Sequence, residues 1–149
     1  MKILEFHILG IPKAKQSTKF RTFKVGDKTV ASAFQPKDIV AGKQNLRAQF
    51  IEQLPKGFEP FSERVIILEL RFVFPYLKSF SKKKIQEIEE LKAYAAYKTT
   101  KPDLDNLEKM LWDAMNGVVF ADDSLICGKR NINKEYGRVP GINLRILGK

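Results

Sequence analysis

The chain has 149 residues, 44% of them hydrophobic, enough for one ordinary domain with a single core. Lys and Arg number 27 against 17 acids, a formal charge of +10. Such an imbalance points to an acidic partner, nucleic acid ahead of anionic membrane, since no basic amphipathic helix carries a bulky apolar face.

Cys127, the only cysteine, excludes an internal disulfide and fits a reducing cytoplasm. No apolar run approaches the roughly 18 residues of a membrane span. The N-terminal apolar stretch, broken by Glu5 and His7, fits a strand better than a signal peptide. In LEFHI, Leu4, Phe6 and Ile8 alternate with Glu5 and His7, the period of a half-buried strand, and His7 is expected at the surface. Residues 1–35 then hold seven cations against two acids, half of the net charge of the chain. Phe20 and Phe23 lie among these cations, and Val25–Lys28 (VGDK) has the composition of a hairpin turn.

Pro36 and Asp38 open a helix expected to reach about Leu54, with Ile39, Leu46, Phe50 and Leu54 on one face and Gly42 as its weak point. Glu63–Phe74 is the clearest strand: Ile66, Leu68, Leu70, Phe72 and Phe74 are expected on one face of a central strand that Pro75 ends. Ser81–Tyr97 has helical spacing, with Ser81 as N-cap. Lys82, Lys83 and Lys84 crowd its first turn against the helix dipole, an order that suits a phosphate site. Tyr94–Lys101 is expected to be a mobile loop. Leu107, Met110, Leu111, Ala114 and Met115 mark a further helix with Gly117 as its C-terminal stop. A short strand VVF, a turn ADDS, a strand LICGKRNINKEYG and a last strand INLRIL follow. The fold class predicted is α+β: one domain over residues 1–149, with a mixed sheet packed on two or three helices.

Four aspartates bracket the motif helix: Asp103, Asp105, Asp122 and Asp123. If the stretch after Pro102 is extended, Asp103 and Asp105 point to the same side and converge on one cation. A third carboxylate from the ADDS turn, folded back by the short helix, would complete an oxygen site of the kind Mg²⁺ prefers. The ion would activate water and neutralise charge on a phosphate. Plainer readings stand beside this one. Asp105 with Glu108 is close to a capping box, and Asp122–Asp123 can be an ordinary turn. What favours a metal is the setting. Seven lysines lie between Lys78 and Lys101, and carboxylates on a DNA-binding face repel the backbone unless a cation sits among them. Lys109 is one helical turn from both Asp105 and Asp113, placed to pair with a carboxylate or to bind phosphate. Trp112 and Cys127 are expected to pack.

KPDLDNLEKMLWDAMNGVVFADDSLI closely resembles the RusA family of Holliday-junction resolvases, whose K-P-D-x-D-N-L-x-K motif is followed by D-A-[LM]-x-G and then D-D. The similarity extends through SFSKKK, GIPKAKQ and KEYG. It implies a Mg²⁺-dependent homodimer, Mn²⁺ substituting, that cuts four-way junctions by paired nicks. Asp103, Asp105 and Asp123 match the family's catalytic, metal-binding aspartates, and Lys109 matches its required lysine. Lys13, Lys15, Lys19, Arg21, Lys82, Lys83, Lys84 and Lys101 are the candidate DNA contacts. Phe20, Phe23 and Phe34 are expected in the core, stacking at a branch point being the alternative. Two other functions remain open on the sequence: a nuclease for flaps or forks, and a DNA-binding module without catalysis.

Overall fold

The computed structural model describes residues 1–15, 19–34, 36–90 and 96–149, with Lys19 and Phe34 as backbone only. Strands β1 (Lys2–Leu9), β4 (Val65–Phe74), β5 (Ile126–Tyr136) and β6 (Gly141–Gly148) form one sheet in the order β1-β6-β4-β5. β6 runs antiparallel to both β1 and β4, whereas β5 lies parallel to β4. A parallel pair needs a long crossover, and here that crossover carries helices α2 (Lys82–Glu89) and α3 (Leu104–Met115). Helix α1 (Lys37–Gln53) precedes β4, and β2 (Lys19–Val25) with β3 (Lys28–Phe34) makes a separate two-stranded hairpin. The result is a single α+β domain with a mixed sheet and three helices, the class expected.

The apolar face of α3 is its reason for being there. Leu107, Met110, Leu111, Ala114 and Met115 are all buried, as their spacing predicts, and Trp112 joins them. They form one cluster with Ile39, Leu46 and Phe50 of α1 and with Ile67, Leu70, Phe72, Leu144 and Ile146 of the sheet. Each such Leu, Ile, Met or Phe side chain contributes about 1.5–3 kcal/mol by burial. Gly42 serves this packing. A Cβ there would meet Met110 Cε at 3.3 Å and Lys13 Cδ at 3.2 Å, so the glycine gives α3 and the N-terminal loop their close approach. His7 is exposed as expected, its Nδ1 2.8 Å from Asn143 Oδ1.

Five expectations change. In β4 the buried residues are Val65 and Ile67, then Leu70, Phe72, Val73 and Phe74, while Ile66 and Leu68 are only half-buried. A register shift against β6 between Ile67 and Glu69 inserts one residue and swaps the face that meets the core. Val118–Phe120 is a buried turn rather than a strand. Gly117 (φ +74°) reverses the chain, its N–H bonds Phe120 O at 2.7 Å, and the apolar run plugs the core. Helix α2 ends at Glu89, with residues 91–95 outside the described region. Ala96–Lys98, expected in a mobile loop, instead pair along β5: Lys98 N–H donates to Lys134 O (2.9 Å) and Tyr136 N–H to Ala96 O (2.8 Å). Cys127 is exposed rather than packed, its Sγ 3.4 Å from Val65 O.

Candidate active site and nucleic-acid face

Asp103 is the N-cap residue of α3, in extended conformation (φ −69°, ψ 143°), yet its carboxylate caps nothing. Asp105 lies inside the first helical turn. The two therefore do not alternate along a strand, and convergence by extended geometry is not how they are arranged. Nor does the capping box form, because Asp105 is not the cap and Glu108 is bound to Lys129 at 2.8 Å. Asp105 faces Lys109 at 3.8 Å, with side chains 69% and 62% exposed, a loose pair that contributes a few tenths of a kcal/mol at about 25 °C. Among the described residues, the Asp103 and Asp123 carboxylates have neither hydrogen bond nor ion pair.

Asp122 and Asp123 differ in role. Asp122 Oδ1 accepts the Ser124 N–H at 2.9 Å, capping a 3-10 turn over Asp123–Leu125. Hydrogen bonding from Ser124 holds the Asp122 carboxyl below its ordinary value. Asp122 thus shapes the turn and Asp123 stands exposed at its head. At the other end of α3, Arg47 Nη1 donates to Asn116 O at 2.8 Å and closes carbonyls the helix leaves open.

Helix α3 runs down β5 in the opposite sense. Lys134 lies against Pro102, while Lys129 contacts Glu108 and sits 5.7 Å from the Trp112 ring. Asp103 is therefore beside the far end of β5, and Asp123 precedes its near end. Among the described residues no group of three or more His, Cys, Asp or Glu side chains could hold a metal ion. The three aspartates suit a hard divalent cation as exposed oxygen donors, and the turn that carries Asp123 packs against α3.

Lys13, Lys15, Lys101, Asp38, Asp103 and Asn106 line an open cleft of about 680 Å³. Lys13 and Lys101 are exposed. Lys15 is half-buried and committed: Nζ bonds Asp113 Oδ2 at 2.6 Å, and its N–H bonds Asn106 O at 3.0 Å. Lys82 and Lys83 are exposed beyond the Ser81 cap, whose oxygen accepts the Lys84 N–H at 3.1 Å. Lys84 is half-buried, Nζ 5.9 Å from the Phe80 ring. Arg21 is exposed on β2, and the Lys19 side chain is outside the described region. Phe20 and Phe23, expected in the core, are 70% and 47% exposed on the hairpin. Trp112 is buried as expected.

Sequence reasoning missed Asp38, Arg47 and Lys134. For Lys134 a signal existed: it sits between Ile132 and Tyr136 in the alternation of β5, a cation in a row whose neighbours pack on the core.

A basic α+β domain whose lysine-lined cleft holds Asp103, a carboxylate without a partner among the described residues, has the character of a protein that acts on nucleic acid. The model of the family "Endodeoxyribonuclease RusA" matches residues 10–147, and the chain belongs to that family. It is also similar to the uncharacterized protein YqaN of Bacillus subtilis (strain 168), 26% identical over 132 residues that cover 89% of this chain and 76% of that protein. RusA-family proteins are crossover-junction endodeoxyribonucleases that bind branched DNA and depend in general on a divalent metal. Among the described residues no helix is long and apolar enough to cross a membrane.

Proposed function

We propose that this chain is a Mg²⁺-dependent Holliday-junction resolvase, one endonuclease domain over residues 1–149, acting as a homodimer that nicks four-way junctions in symmetric pairs during DNA recombination and repair. The observation that carries this is the pair of unpartnered carboxylates, Asp103 and Asp123, in a chain of charge +10. Bare carboxylates repel the phosphates that such a surface attracts, and a divalent cation reverses that sign.

Asp103 and Asp105, at the head of α3, would hold the ion, with Asp123 supplied by a second copy. The bound ion supplies an activated water and charge neutralisation at the phosphate, and Mn²⁺ supports the same chemistry. Lys109, loosely tied to Asp105, is free to meet the phosphate as charge develops. Lys13, Lys19, Arg21, Lys82, Lys83, Lys84 and Lys101 follow the DNA backbone. Phe20 and Phe23, exposed among cations, stack on bases opened at the branch. A two-fold dimer matches the approximate two-fold symmetry of the junction.

A second reading, a DNA-binding module without catalysis, draws on Asp122, an acid that plainly serves as a turn cap. The experiment compares the wild-type protein with Asp105→Asn on an end-labelled mobile four-way junction, a flap, a fork and a linear duplex, with Mg²⁺, Mn²⁺ or EDTA. Metal-dependent paired nicks in the junction, lost in Asp105→Asn while binding persists, are the expected result. Cutting confined to flaps or forks overturns the junction assignment. Binding without cutting by either protein leaves the binding module.

A further inference from the structure

We propose that Lys134 is a positioning residue of the active site, its ammonium clamping two backbone carbonyls, those of Thr100 and Pro102, in the segment that leads to Asp103. The Nζ of Lys134 donates to Thr100 O and to Pro102 O, each at 2.8 Å. Its own carbonyl accepts the Lys98 N–H at 2.9 Å, and Lys98 Nζ bonds Thr100 Oγ1 at 2.5 Å. The segment leading into α3 is therefore fastened to β5 at several points, and Lys134 makes three of the bonds.

The placement of Lys134 fits this role better than a phosphate contact. Ile132 and Tyr136, its neighbours on the same side of β5, pack on the core. Glu135 turns to the other side and pairs with Arg71. Lys134 is itself half-buried, and two of its three N–H groups are taken by the carbonyls. A charge-assisted bond to a carbonyl is short and directional, and two of them on alternate residues fix both the height and the tilt of the chain between. The residue after the second carbonyl is Asp103. Asp123 enters β5 at its opposite end, so one strand carries the supports of both parts of the aspartate set. Neither carbonyl is fully enclosed, since Thr100 is exposed and Pro102 half-buried. Water can satisfy both without Lys134, so loss of the ammonium loosens the site without unfolding the domain.

This inference rests on the nuclease reading above, and its test separates the two. Full-length wild type, Lys134→Met and Lys134→Arg are compared by Mn²⁺ binding (electron paramagnetic resonance, no DNA), junction affinity in EDTA across a salt series, and single-turnover cleavage against Mg²⁺ concentration. Lys134→Met is expected to bind Mn²⁺ several-fold more weakly and to cut about tenfold to about a hundredfold more slowly, the upper figure being what a displacement of about an ångström can cost. Junction affinity should stay within about twofold and the salt slope unchanged, because no phosphate contact is removed. Lys134→Arg, whose fork can reach both carbonyls, should recover most of the cleavage. A salt slope lowered by about 0.9 would make Lys134 a phosphate contact and overturn the proposal. Unchanged Mn²⁺ binding and cleavage in Lys134→Met overturn it equally. Should Lys134→Met fail to fold by circular dichroism, Lys134→Gln takes its place under the same criteria. A wild-type protein that binds Mn²⁺ yet cuts no junction sinks the nuclease reading alone, and the Mn²⁺ affinities still decide the clamp.

Discussion

Lys15 and Lys13 line the same cleft two residues apart, yet they should behave differently when removed. Lys15 Nζ is 2.6 Å from Asp113 Oδ2, and the two side chains are 33% and 27% exposed. At an effective dielectric of about 20 the gross attraction is on the order of 6 kcal/mol. Desolvation of both ions, residual exposure and the entropy of the lysine stem cancel most of it, leaving a net coupling of about 1 kcal/mol. The pair also joins residues far apart in sequence, tying the N-terminal loop to the last turn of α3. Lys15→Met should therefore cost about 1–2 kcal/mol in urea unfolding, part of it from the stranded Asp113. In a double-mutant cycle with Asp113→Asn the coupling should recover about 1 kcal/mol. The charge being already spent on Asp113, the salt slope of junction binding should not change. Lys13 has no ion pair among the described residues, so Lys13→Ala should leave stability within about 0.5 kcal/mol and lower the slope by about 0.9. Equal slope losses for the two variants, with a coupling below about 0.3 kcal/mol, would refute the assignment of Lys15 to the fold.

Three further perturbations test other parts of the molecule. In Gly141→Ala the new Cβ would lie 2.3 Å from Ile8 O, backbone of the paired strand, and should cost about 3 kcal/mol in urea unfolding; a loss under about 1 kcal/mol would show the β1–β6 pair to be looser than described. Phe20→Ala and Phe23→Ala should leave stability within about 0.5 kcal/mol and weaken junction binding by about 1 kcal/mol or more each, with the quenching of 2-aminopurine at the branch reduced; a large stability loss would return these rings to the core. Asp122 has its folded pKa depressed, mainly by hydrogen bonding from Ser124, so its contribution is complete above the unfolded value of about 3.8 and is lost as pH falls through the folded value. The melting-temperature gap between wild type and Asp122→Ala should hold steady from pH about 7 to 5 and narrow below about 3.5; a gap independent of pH would show that the charge of Asp122 plays no part.

Much of the architecture was legible because burial imposes a period. The five apolar positions of α3 and the alternation in β1 each have one face to hide, and the structure hides it. The period fails where one residue changes phase: the bulge in β4 exchanges Ile66 and Leu68 for Val65 and Ile67, and nothing local in an all-apolar run marks the slip. Val118–Phe120 illustrates another limit, since three apolar residues are equally a strand or a plug, and Gly117 decides. The aspartates were legible as a set and not as a geometry. Asp103 and Asp105 differ in backbone conformation because the helix begins between them, and the separation of Asp123 depends on how α3 lies along β5. Phe20 and Phe23 were misplaced because aromatic residues are core residues by habit. The hairpin that carries them forms a sheet of its own, so alternation there does not report which side meets the core.

The central strand has a consequence for how the molecule comes into being. Both partners of β4, β5 and β6, come after it in the chain. As the polypeptide leaves the ribosome, its most apolar strand waits with two open edges until nearly everything downstream has emerged. That interval is when the nascent chain is most exposed to sticking to its neighbours. It is also an interval of harmlessness. The aspartates lie in the crossover between β4 and β5, so on the proposed nuclease reading their site is assembled only when β5 is laid down, and a half-made chain has nothing with which to cut DNA.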